Sequence, residues 1–152
     1  MADTFSVILT RTASTSLPVG SINADAGSPE IGKLRYLSFG CSATPADYMF
    51  VLRVQRCTTA GTGVDVTPTD ISTAGSATAS TDCKQAHTVT AALTSGKILL
   101  EVPVHQRATY QFYASTNYEL AWPATASNGL ALLTPVGPAS VVLVTALFVE
   151  GT

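Results

Sequence analysis

The chain has 152 residues, of which 46% are hydrophobic and only 12% charged, with a formal charge of −2. That length closes one β-sandwich core, so a single domain over residues 1–152 is expected. Lys and Arg are scattered singly from Arg11 to Arg107, which offers no basic stripe for phosphates and excludes nucleic acid as an expected partner.

Phe5, Val7 and Leu9 alternate with Ser6, Ile8 and Thr10, the pattern of a half-buried strand. Ahead of them Met1-Ala2-Asp3-Thr4 carries no basic segment followed by an apolar one, so no secretory leader is expected and synthesis in the cytoplasm is. Residues 12–33 turn to Ser, Gly, Pro and Asn and read as a long irregular connection. Strand-like runs follow at 34–39 and 48–56, with Leu52 and Val54 inward and Arg53 and Gln55 outward.

Residues 58–82 carry Gly61, Gly63, Pro68 and Gly75 among Thr, Ser, Ala and Asp, with almost no bulky apolar side chain. A loop of this length inside a compact domain is usually functional or mobile, so the stretch is expected to be an extended surface arm that contributes little core. Strand signals resume at 87–91 and 97–102, joined by Thr94-Ser95-Gly96 as a hairpin turn. Residues 107–114 alternate around Tyr110 and Phe112, opposite in face to Tyr113, and a short aromatic strand covers 118–122. Asn128-Gly129 and Pro135-Val136-Gly137-Pro138 read as turns before a final apolar strand at 141–149. That last run is β-branched and about half the length of a membrane-spanning helix, so no membrane partner is expected.

The count is roughly eight strands with no helical period, an all-β class for which a two-sheet β-sandwich of jelly-roll form fits the long early loops best. Phe5, Val7, Leu9, Leu52, Val54, Leu100, Val102, Leu143 and Leu147 are the expected core.

Chemistry-bearing residues are sparse and ungrouped. His87 and His105 stand in different strands without metal-ligand spacing or a nucleophile motif. Glu101 and Glu119 could be picked as a glycosidase pair, and Asp65 with Asp70 as weak calcium ligands, but nothing in the spacing singles them out. No catalytic residue, metal or cofactor is expected. Cys41, Cys57 and Cys83 are odd in number and lack paired spacing, and read as small buried hydrophobes, with a bridge between Cys57 and Cys83 left open. Candidate assembly contacts are Thr58, Thr59, Thr62, Val64 and Val66 in the arm, with Tyr113 and Trp122 from the aromatic concentration, a residue class enriched in subunit interfaces.

Four segments in order, Leu52-Arg53-Val54-Gln55-Arg56-Cys57-Thr58-Thr59-Ala60-Gly61-Thr62-Gly63, Val66-Thr67-Pro68-Thr69, Val104-His105-Gln106-Arg107-Ala108-Thr109 and 122–131 from Trp122 to Ala131, resemble small virion structural proteins of tailed bacteriophages. The resemblance covers most of the chain after about residue 50 and includes no catalytic signature. It implies a head decoration (cement) protein, a β-sandwich that binds the major capsid protein on the outer capsid surface as a homotrimer. A carbohydrate-binding or adhesin-like module would share the sandwich and the exposed aromatics.

Overall fold

The computed structural model describes residues 3–72, 77–137 and 140–151. Twelve strands form among them: β1 (Asp3–Thr12), β2 (Gly20–Ala24), β3 (Gly32–Cys41), β4 (Met49–Cys57), β5 (Thr62–Val66), β6 (Thr69–Asp70), β7 (Thr81–Val89), β8 (Leu93–His105), β9 (Tyr110–Tyr113), β10 (Leu120–Trp122), β11 (Gly129–Val136) and β12 (Val141–Glu150). They make two antiparallel sheets packed face to face. The front sheet runs β6-β1-β12-β3, with β9 and β10 both lying along the far side of β3. The back sheet runs β5-β7-β2-β11-β4-β8.

The connectivity is that of a jelly roll. The outermost strands in sequence, β1 and β12, pair in the front sheet; β2 and β11 pair in the back; β3 pairs with β9 and β10 in the front; and β4 pairs with β8 in the back. Nested pairs that alternate between two sheets are the double Greek key of this fold. The three remaining strands, β5 to β7, are inserted between β4 and β8 and extend the sandwich at one side.

The core lies between the sheets and joins Phe5, Val7 and Leu9 of β1 to Leu52 and Val54 of β4, as their alternation predicts. Leu100 and Val102 also face it, half-buried on an edge strand. Leu143 and Leu147 do not. The buried face of β12 is Val142, Val144, Ala146 and Phe148, while Leu143 is 37% exposed. An unbroken apolar run has no alternation of its own, so its partner decides the face. Leu143 sits opposite Thr10 and Leu147 opposite Ser6, the outward residues of β1.

Three other expectations are corrected. The irregular connection at 12–33 contains β2, buried throughout between β7 and β11. Thr94-Ser95-Gly96 is not the hairpin turn. It lies inside β8, where pairing shifts between Gln55 and Cys57 and Gly96 takes φ +67°, so the sequence Thr-Ser-Gly marks a bulge. The arm at 58–82 supplies β5 to the back sheet and β6 to the front, and Val66, Ala77 and Ala79 pack on the core.

All three cysteines are free. Cys83 belongs to the main core and Cys57 to a small cluster with Ala91, Ala131 and Leu133, and their strands are separated by β2 and β11. Three strand spacings of about 4.8 Å put them far beyond bridging range. No described helix is long and apolar enough to cross a membrane.

Candidate functional site

Among the described residues, Ser21 with His87 is the one contact between a hydroxyl and an imidazole. Ser21 Oγ lies 3.2 Å from His87 Nε2, which in turn lies 2.8 Å from the carbonyl oxygen of Ala60. A carbonyl only accepts, so Nε2 carries the proton and donates it, and it cannot also take the serine proton. Ring atom Nδ1 is buried without a partner, and both side chains are closed to solvent. A Ser-His nucleophile needs the opposite tautomer and an orienting acid on Nδ1. This pair is instead a fastener: it ties the β4–β5 connection at Ala60 to the outer side of the back sheet. Burial, then the positive charges of Arg11 and Lys84, hold the His87 pKa below the ordinary imidazole value against the raising effect of the Ala60 bond. Arg11 also donates to the His87 carbonyl.

The other candidates for chemistry are dispersed. His105 Nδ1 accepts from the Arg107 amide. Glu101 pairs with Arg53 on the back sheet, whereas Glu119 pairs with Arg35 at the edge of the front sheet. Asp65 is bound by Lys84, and the carboxylate of Asp70 accepts from Ser72 and Ala77. An open cleft of about 270 Å³ is lined by Asp25, Asp65, Asp82, Thr67 and Thr81. Its acids have partners: Asp25 caps the amides of Gly27 and Ser28, and Lys84 bridges Asp65 and Asp82. Among the described residues no three His, Cys, Asp or Glu side chains converge as a metal site.

The candidate contact residues fall in four places. Thr58 and Thr59 are exposed on the β4–β5 connection, where the Thr58 amide donates to the Ala92 carbonyl and Thr59 Oγ1 accepts from the Ala92 amide. Thr62, Val64 and Val66 form the edge strand β5; Val64 is 58% exposed, while Val66 leans on the core. Tyr113 stands on β9 at the opposite side of the molecule, 70% exposed. Trp122 is not a surface residue. It is 1% exposed, packed edge-on to Phe148 at a centroid distance of 5.7 Å, and its ring fills the space beside Gly32. An aromatic in the third residue of a short strand gave no sign of its face; the β10–β3 register, which sets Trp122 opposite Gly32, turns it inward.

A feature that residue-by-residue reading missed is the outer face of the front sheet. Register aligns Ser6, Leu147, Tyr36 and Tyr113 in one row across β1, β12, β3 and β9. The next row is Ile8, Thr145, Ser38 and Gln111, and the third is Thr10, Leu143 and Gly40. No Asp, Glu, Lys or Arg stands in these rows. Ile8 is 56% exposed, and the Tyr36 and Tyr113 rings contact each other at 4.8 Å with Gln111 donating to the Tyr36 hydroxyl. The sequence signal was present in the outward residues Ser6, Ile8 and Thr10, but only strand order brings the uncharged outward residues of four strands side by side. Charge begins at the rim, with Arg35 and Glu119 3.7 Å apart.

The chain matches no protein-family model and no curated protein.

Proposed function

We propose that this protein is a structural component of a tailed-phage virion, a decoration protein that binds the outer capsid surface as a homo-oligomer and stabilises the shell through contact area. The observation that carries this reading is the broad uncharged face of the front sheet, together with exposed apolar residues such as Val64 and Ile98 elsewhere. Patches of that kind mark interaction surfaces. The resemblance in residues 52–63, 66–69, 104–109 and 122–131 supports a virion reading. The polar groups near one another are fastened to backbone or to opposite charges, as Ser21, His87 and Asp65 are, which favours a contact role over a reacting one. Repetition over a shell makes modest contacts strong, because linked sites bind with avidity far above one site's affinity.

Bare shells assembled from the major capsid protein of the same genome test it. Purified protein is expected to bind them saturably and to raise the temperature at which they come apart. Shells that neither bind the protein nor gain stability would refute the reading.

A glycan-binding module is the second reading, favoured by Tyr113 and Tyr118, which are 70% and 77% exposed and stand close in sequence to the polar residues Gln111 and Asn117. Saturable binding of a glycan, abolished by Tyr113→Ala, would decide for it.

A further inference from the structure

We propose that the outer face of the front sheet is a homotypic interface, on which a second copy of this chain packs the same face about a twofold axis. The inference rests on the reading that the protein assembles with itself, and it adds which surface does so and with what symmetry.

Charge restricts what can cover this face. In the three central rows across β1, β12, β3 and β9 the outward residues are Ile, Leu, Tyr, Thr, Ser, Gln and Gly alone, and Lys33 opposite Val149, with Arg35, bounds them at one end. A partner that laid a charged side chain against them would bury it with nothing to pair it, which is expensive. The occupant must therefore be flat, neutral and rich in hydroxyl and aliphatic groups. The same face on another copy meets each requirement. It is also self-complementary in the sense a twofold contact needs, where each residue meets its counterpart's neighbour reciprocally. Sheets pack face to face at about 10 Å, with outward side chains interdigitating, and the row Ile8, Thr145, Ser38 lies at the middle of the patch, between the tyrosine pair and Leu143.

Size sets the strength. Four strands about 4.8 Å apart, with three rows of outward residues about 6.8 Å apart along them, give a patch of roughly 400 Å². Standard stable interfaces bury about 800 Å² per partner. The pairing is therefore expected to be reversible and weak in free solution, and firm where copies are held close together.

Sedimentation velocity of the free full-length chain from micromolar to sub-millimolar concentration reads this directly. A monomer–dimer equilibrium is expected. Thr145→Lys, at the centre of the patch, and Ile8→Lys, at an exposed position where folding is least at risk, should each weaken it about tenfold or more. Thr125→Lys, on the exposed β10–β11 connection, should leave it unchanged. Circular dichroism checks that each variant keeps the wild-type spectrum, and Ile8→Lys alone suffices if Thr145→Lys does not fold. A wild type that stays monomeric, a dimer indifferent to a folded Ile8→Lys, or a mass of three copies would each overturn the twofold pairing. Shell binding separates this proposal from the function it rests on. A monomer that still coats shells defeats only the pairing, whereas a dimer that coats none supports the pairing and defeats the virion role.

Discussion

Gly32 and Trp122 show how much one pair of residues decides. A Cβ on Gly32 would collide with the indole ring, which is itself held against Phe148. Gly32→Ala is expected to destabilise the fold by about 1–3 kcal/mol through forced repacking, and Trp122→Ala by about 3–5 kcal/mol through the cavity it leaves. Urea unfolding of both variants measures this; a Trp122→Ala loss under about 1 kcal/mol would return Trp122 to the surface role its sequence context suggested. His87 carries a pH effect whose sign follows from its lowered pKa. The folded imidazole resists protonation more than the unfolded one, so its contribution is complete above the unfolded value near 6.5 and is lost as pH falls through that value toward the folded one. Glu150 acts in the opposite sense, because burial raises its pKa and protonation relieves it. The His87 part is isolated by comparing wild type with His87→Asn: the stability gap between them should narrow from pH 7.5 to 5, and a constant gap would contradict the assignment. Neither feature was legible in the sequence, where a lone histidine carries no trace of the carbonyl it will meet.

At the scale of elements, the sequence was readable wherever polarity alternated and failed where it did not. β1 and β4 alternate, and their inward residues are the ones expected. β12 is apolar on both faces, so its register with β1 and β3 decides, and Leu143 points out. β2 escaped notice because Ser21 and Asn23 look like loop residues. They are buried on the outer side of the back sheet, where Ser21 meets His87 and the Asn23 amide donates to the Ser127 carbonyl. The inserted segment was read correctly as poor in bulky side chains, and wrongly as structureless. Ordering it costs about 1–2 kcal/mol per residue in backbone entropy, and β5 and β6 offset that by pairing with β7 and β1 within the same chain. It also manages an edge: β6 covers the start of β1, and the Gln85 side chain accepts from the Thr10 amide farther along the same edge. Deleting Gly63 to Ser80 is therefore expected to lower unfolding free energy by about 2 kcal/mol or more, through lost apolar burial at Val66, Ala77 and Ala79. A deletion variant as stable as wild type would show the segment to be a passive surface loop.

For the whole molecule, composition and topology point the same way. A chain with 12% charged residues leaves the middle of one sheet face uncharged, with the Arg35–Glu119 pair at its rim and the pairs Arg53 with Glu101, Arg107 with Asp47 and Lys84 with Asp65 elsewhere. The jelly roll makes that face broad and rigid because the strands behind it are locked by a core reaching from Phe5 to Phe148. The all-β class and the sandwich could be read from strand periodicity; the uncharged face could not, since it is a property of strand order and register. The measurement that tests the proposed virion role most directly is the molar ratio of this chain to the major capsid protein in gradient-purified particles of the phage proposed to encode it. A fixed ratio, reproduced from one preparation to the next and resistant to washing, is the predicted result. A trace amount that varies between preparations, or absence from the particles, would contradict a structural role in the virion.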